Sequence, residues 1–300
     1  MSRTSKRVLA VAVGLVAWGL ILGVWLLPAV WRRSQAADCS LCPRSGKDPG
    51  RGSEDGFVRQ GPPKPGEWRW RYPEPEQTFE QYSVGPVNRR CGHRTTFYLQ
   101  PLGEASTRYR GVLERIRAHS EAYFGVPAKI LDPVPMVADA LEPERKQYHA
   151  TRIIRHLADR LPPDALVSMG ITDRDLYSEG LNFVFGEGSL HQRCGVYSLR
   201  RFETDDAPLF LRRTLKLVSH EAGHILSIEH CAVWSCVMQG ANTLEEHDGH
   251  PMHLCPVDLR KILWNVGIDG DERYRNLRRL YGDWGLEAEA GWIARRLGHP

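Results

Sequence analysis

Residues 220–238 read His-Glu-Ala-Gly-His-Ile-Leu-Ser-Ile-Glu-His-Cys-Ala-Val-Trp-Ser-Cys-Val-Met. The first five form H-E-x-x-H. On a helix, residues four apart share one face, so His220 and His224 can hold one metal ion together. Zinc is the expected ion, because it lowers the pKa of a bound water to about 7 and polarises a carbonyl. Glu221 lies one residue along, in reach of that water. As general base it would take the water's proton and pass it to a leaving amine. Leu215, Leu217, Val218, Ala222, Ile225 and Leu226 supply the apolar face of such a helix. His230 can be a third ligand only if the chain leaves the helix and turns back. A left-handed turn of that kind suits glycine, but this chain has Ser227 there. A surface helix carrying His and Glu by chance is the plain alternative.

Outward from this run, the spacing predicts a helix over 208–229. Asp205 and Asp206 ahead of Pro208 read as its start signal. Upstream, strands are expected at 95–101, 129–131, 165–172 and 195–202. Helices are expected at 105–124, ended by Gly125, and at 142–161, ended by Pro162 and Pro163. Downstream come three helical segments, 256–266, 271–282 and 286–297. Strands alternating with helices, then a helical end, indicate an α/β fold with a helical C-terminal subdomain.

The stretch after His230 is more specific. Cys231, Cys236 and Met238 form C-x4-C-x-M, and Cys255 and Asp258 follow in Leu-Cys-Pro-Val-Asp. This resembles the archaemetzincin family of zinc metallopeptidases, whose pattern is HExxHxxGxxH, then C-x4-C-x-M, then C-x-x-C. Residues 77–82 (QTFEQY), 97–103 (FYLQPLG), 170–177 (GITDRDLY), 181–186 (LNFVFG) and 272–277 (ERYRNL) are similar to archaemetzincin segments too. The resemblance covers about 77–283. It implies a metzincin-like catalytic domain, a twisted mixed sheet with an active-site helix. It implies a catalytic zinc on His220, His224 and His230, with Glu221 as general base and Met238 as the Met-turn residue beneath the metal. It also implies a second, structural zinc on Cys231, Cys236 and Cys255, with Asp258 where the family has its fourth Cys. A carboxylate oxygen can bind zinc, and His247, His250 or His253 could complete the site instead. Loss of that zinc, leaving buried thiols, is the alternative.

Metzincin-like enzymes bind extended peptides along a sheet edge, and Gly195, Val196, Tyr197 and Ser198 are the expected edge strand. An ordinary edge guarded by Arg200 and Arg201 is the alternative. Amino- and endopeptidase action stay open, since neither Glu187, Glu203 nor Asp206 stands out as an anchor for a free amine. A zinc-stabilised peptide-binding or scaffolding module with little turnover is the second functional reading. Ser227 and Asp258 allow it, and Glu221 argues against it. Metal storage is a third, weakened by the same Glu221.

The chain has 300 residues, a formal net charge of +4, 42% hydrophobic residues and 7 Cys. Residues 72–300 hold 28 basic and 31 acidic residues, so no nucleic-acid partner is expected. Residues 8–31 are 24 residues without a charge. At about 1.5 Å per residue they can cross a bilayer core of about 30 Å. They exceed a signal-peptide core in length. The expected layout is a basic N-terminus at 1–7, a transmembrane anchor at 8–31, a Pro/Gly-rich tether at 32–76 and the metallopeptidase domain at 77–300. The expected location is therefore a single-pass membrane protein, with the membrane face open. Peptide or protein substrates and the membrane are the expected partners. Cys39 and Cys42 form an unassigned CxxC. Cys91 and Cys194 read as separate buried thiols or, in an exported body, a disulfide.

Overall fold

The computed structural model describes residues 53–298. The helices are α1 (Trp68–Arg71), α2 (Phe79–Val84), α3 (Ala105–Arg108), α4 (Arg110–Phe124), α5 (Ala150–Ala158), α6 (Ala207–Ile225), α7 (Leu244–Gly249), α8 (Pro256–Val266), α9 (Gly270–Asp283) and α10 (Glu287–Arg296). The strands are β1 (Thr96–Leu102), β2 (Ala128–Ile130), β3 (Leu141–Glu142), β4 (Gln147–His149), β5 (Ala165–Thr172), β6 (Leu176–Tyr177), β7 (Gly186–Ser189) and β8 (Cys194–Ser198).

A five-stranded sheet runs in the order β2-β1-β5-β8-β7. The pairs up to β8 are parallel, with Gly170 opposite both Gln100 and Val196. β7 closes the sheet antiparallel to β8, with Glu187 opposite Val196. Every residue of β1, β5 and β8 is buried, as expected where helices cover both faces of parallel strands. One face carries Leu99, Val167, Met169 and Tyr197 against α4 and α6; the other carries Leu102 and Val196 against α5. The α/β architecture with a helical C-terminal part therefore matches the expectation.

α6 starts where the sequence indicated. Asp206 accepts a hydrogen bond from Leu209 N at 3.0 Å, and Pro208 sits in the first turn. Such a cap contributes about 1 kcal/mol.

Several expectations are corrected. The helix predicted over 142–161 begins only at Ala150; before it, β3 and β4 form a hairpin with Lys146 at φ 53°. Tyr148, counted as helical, instead pairs with Leu176 of β6. Strand pairing outweighed a local apolar spacing.

Gly195, Val196, Tyr197 and Ser198 do not form an edge. They lie in β8, buried between β5 and β7, and the edge strand is β7. The sequence Gly-Glu-Gly-Ser of β7 has little strand propensity, so the strand next to it drew the assignment.

Part of the expected tether lies outside the described residues; from residue 53 onward the chain packs on the body. Gln60 N donates to Val233 O and Ser235 N to Val58 O, each at 2.8 Å. Phe57 meets Trp292 edge-on at 5.3 Å. The Pro and Gly content suggested a free linker, but Phe57, Trp68 and Tyr72 each supply apolar area of the size that anchors a segment.

The single-pass membrane placement is likewise corrected. Among the described residues no helix is long and apolar enough to cross a membrane. Residues 8–31, and the Cys39/Cys42 pair, lie outside the described residues. Cys91 and Cys194 are both buried, free thiols.

Candidate active site

The last turns of α6 carry His220 and His224, whose Nε2 atoms lie 3.0 Å apart. Each ring is locked from behind. His220 Nδ1 bonds Val237 O at 2.9 Å and His224 Nδ1 bonds Ile228 O at 2.8 Å. A carbonyl only accepts, so both Nδ1 atoms carry the proton and both Nε2 lone pairs are bare. Burial holds His220 well below the usual imidazole range and His224 down to about 3, so both rings stay neutral.

The helix ends at Ile225, and the chain reverses through Ser227 at φ 71°. A left-handed backbone costs a non-glycine residue about 1–2 kcal/mol. Here the side chain gives part of that back, because Ser227 Oγ accepts from Asn88 N at 2.9 Å. Ile228 N then bonds Gly223 O at 3.0 Å, which brings His230 back over the helix. One ligand atom from each of His220, His224 and His230 falls within a 4.8 Å cluster. Glu74 occupies Nδ1 of His230, at 2.9 Å. Three imidazoles, each braced at Nδ1 and with ligand atoms gathered within 4.8 Å, fit a zinc ion.

Met238 lies fully buried against Gly223, the residue before His224. A Cβ on Gly223 would come 2.4 Å from its sulfur, so a larger residue there would force the buried Met238 side chain to shift. Glu221 leaves α6 toward the sheet edge. A Cβ on Gly186 would sit 2.8 Å from Glu221 Oε1, and one on Gly188 would sit 2.7 Å from Glu221 O. Gly186 thus leaves room for the Glu221 carboxylate and Gly188 for its backbone carbonyl. Burial, with a smaller contribution from Glu187, pushes Glu221 up to about 8. A cleft of about 430 Å³ opens over these residues, walled by Trp68, Tyr72, Phe183, Phe185 and β7.

A second cluster adjoins the first. Ligand atoms of Cys231, Cys236, Cys255 and Asp258 also fall within 4.8 Å of one another. Asp258 Oδ2 lies 3.4 Å from Cys236 Sγ and 3.3 Å from Cys255 Sγ, while Oδ1 accepts from Lys261 Nζ at 2.8 Å. Hydrogen bonds from Cys236 and Cys255 pull the Cys231 thiol down, and burial pushes those two up. Three sulfurs and one carboxylate oxygen suit zinc.

The other candidates sit elsewhere. His247 stacks on Phe202, and His253 stacks on Trp292 at 3.7 Å, so neither joins the cysteines. His250 is outside the cluster as well. Glu187 is held by Thr151 at 2.9 Å and by Ser178. Glu203 is held by Tyr109 and Arg108, and Asp206 caps α6. Sequence reasoning missed Glu74, Trp68, Gly186 and Gly188. Only the Gly-x-Gly spacing in β7 carried a signal, two glycines on one strand face.

The fold and its three-histidine helix site define a zinc metallopeptidase. Comparison with known proteins agrees. Peptidase family M54 matches residues 109–263. Archaemetzincin-2 from Homo sapiens is 32% identical over 262 residues, covering 73% of each chain. The crystal structure of archaemetzincin from Archaeoglobus fulgidus, complexed with malonate, is 32% identical. It superposes with a TM-score of 0.50 over 55% of this chain and 99% of that one. The archaemetzincin structure from Methanopyrus kandleri gives 0.51 at 28% identity, over 63% of this chain and 98% of that one. The chain belongs to Peptidase family M54, the archaemetzincins. This likeness gives no support to a membrane-anchored form.

Proposed function

We propose that the chain hydrolyses peptide bonds in the cleft over α6, with Glu221 as general base. His220, His224 and His230 would hold the zinc ion. That ion supplies a Lewis acid and acidifies a bound water toward a pKa of about 7. The supporting observation is the pair of Nε2 atoms 3.0 Å apart with both Nδ1 atoms locked to backbone carbonyls. Glu221, one residue from His220, takes the proton from the attacking water and delivers it to the leaving nitrogen. Its place against Gly186 and Gly188 keeps it beside β7. The free edge of β7 borders the cleft and is where an extended peptide would pair. Peptide and protein chains are the substrates.

Glu221→Gln should lower peptide turnover by about 10²–10⁴-fold while zinc content stays unchanged. Cleavage of a peptide library by wild type and variant tests this. Equal turnover in the two would remove Glu221 from the role, and binding without cleavage in both would favour a peptide-binding module.

Cys231, Cys236, Cys255 and Asp258 would hold a second, structural zinc, with Lys261 fixing Asp258 so that Oδ2 serves as ligand. Elemental analysis of the dialysed protein should find about two zinc ions per chain. One ion would mean that the cysteine cluster is a set of buried thiols.

A further inference from the structure

The three histidines are not held alike. His220 and His224 are locked by backbone carbonyls of Val237 and Ile228, which the same helix and the turns after it deliver. His230 is locked by a side chain from far upstream. Glu74 stands ahead of the region matched by the family, 156 residues before His230. Both its oxygens lie 2.9 Å from His230 Nδ1.

Glu74 is itself fixed. Its Oε2 accepts from Trp68 Nε1 at 3.1 Å, and the Trp68 ring meets His230 edge-on at 5.2 Å. Trp68 lies so close on Gly240 that a Cβ there would come within 2.5 Å of the indole. Trp68 N donates to Glu246 Oε1 at 2.8 Å. Arg69 bonds Ala232 O at 3.0 Å, and Gln60 bonds Cys231 O at 3.1 Å and Trp234 O at 2.6 Å. Residues 60–74 thus form a strap tied to the chain that follows His230, at Cys231, Ala232, Trp234, Gly240 and Glu246.

We propose that Glu74 is the positioning residue of His230, holding its ring so that Nε2 faces His220 and His224, with Trp68 holding the carboxylate. The inference rests on His230 being the third zinc ligand. A carboxylate behind a ligating imidazole fixes its tautomer and raises its basicity, and loss of such a partner typically costs about 10–100-fold in metal affinity. Two ligands of the site are then built by the catalytic domain alone, and the third depends on the strap.

The test uses the full chain. Affinity at the histidine site is read by chelator competition with cobalt(II), followed by its visible absorption and separated from the cysteine cluster by the near-ultraviolet thiolate band. Glu74→Ala should weaken this site about 10–100-fold. Glu74→Gln keeps an oxygen that can accept from Nδ1 and should recover part of the loss. Trp68→Phe should give a smaller loss. His230→Ala should weaken the site at least as much as Glu74→Ala, and adding Glu74→Ala to it should cost nothing more. A full further loss in the double variant would mean Glu74 acts elsewhere, and overturns the proposal. Unchanged affinity in Glu74→Ala, with loss in His230→Ala, overturns the proposal alone. Unchanged affinity in His230→Ala overturns the ligand reading beneath it.

Discussion

The two ligand clusters meet at consecutive residues, His230 and Cys231, and are built in opposite ways. The histidine cluster lines a cleft, and its rings are each half-buried. Each of its rings is braced from behind at Nδ1, by Val237 O, Ile228 O and Glu74 in turn. The cysteine cluster is closed: Cys236, Cys255 and Asp258 are buried, and Lys261, itself 2% exposed, sits against Asp258. Catalytic zinc sites keep an open position, and structural ones are closed. The contrast teaches that one turn of chain can serve both purposes, provided the open side is rigid for reasons other than the metal.

The largest expected effect breaks the pair apart by metal removal. A mild chelator should take the histidine-site ion first and abolish peptide turnover, while Tm barely moves. A stronger chelator should then take the second ion and unfold the C-terminal helices. Thermal melts with parallel activity assays check the order; simultaneous loss of turnover and stability would show that the two sites are not separable.

Next comes Cys236→Ser, which leaves a buried ligand set incomplete. It should destabilise the protein by about 3–5 kcal/mol and remove one zinc. Urea melts at matched zinc check it, and an unchanged midpoint would demote the cluster to ordinary thiols.

The rear of α6 sharpens the comparison further. His119 is fully buried, bonded to Ser219 Oγ at 2.8 Å and to Tyr281 at 3.3 Å. Burial, and to a lesser degree Arg273, holds it down to about 3. The unfolded chain, with His119 near 6.5, binds the proton first. Its stabilising contribution is therefore complete above about pH 6.5 and is lost as pH falls toward 3, a few kcal/mol in all. His119→Gln should flatten that part of the stability–pH curve; an unaltered slope would show that other groups carry it.

The smallest effect is Ser227→Gly. It relieves the left-handed backbone and deletes the bond to Asn88, two contributions of about 1 kcal/mol each and opposite sign. Stability should shift by about 1 kcal/mol or less, with zinc affinity preserved. A large loss of affinity would mean that the Ser227 hydroxyl, rather than the turn itself, aims His230.

How much of this was legible in the sequence follows from range. His220, Glu221 and His224 could be read because helical spacing alone puts them together. Cys231, Cys236, Met238, Cys255 and Asp258 could be read from the resemblance, and the structure brings the four metal-ligating candidates among them together. The hairpin of β3 and β4 was not legible, because its pairing partner β6 lies outside the local window. The edge of the sheet was misplaced by one strand, because edge or interior is a property of the whole sheet order.

The sequence by itself determined the α6 helix, its start at Asp206, its histidine pair and the family to which they belong. These depend on contacts within a turn or two of helix, or on a contiguous pattern. Tertiary structure alone decided that β7 is the edge, that Gly186 and Gly188 make room for Glu221, and that Glu74 stands behind His230. Each of those is a close approach between segments distant in the chain. Local propensity has no term for such contacts; only the packed fold sets which backbone meets which.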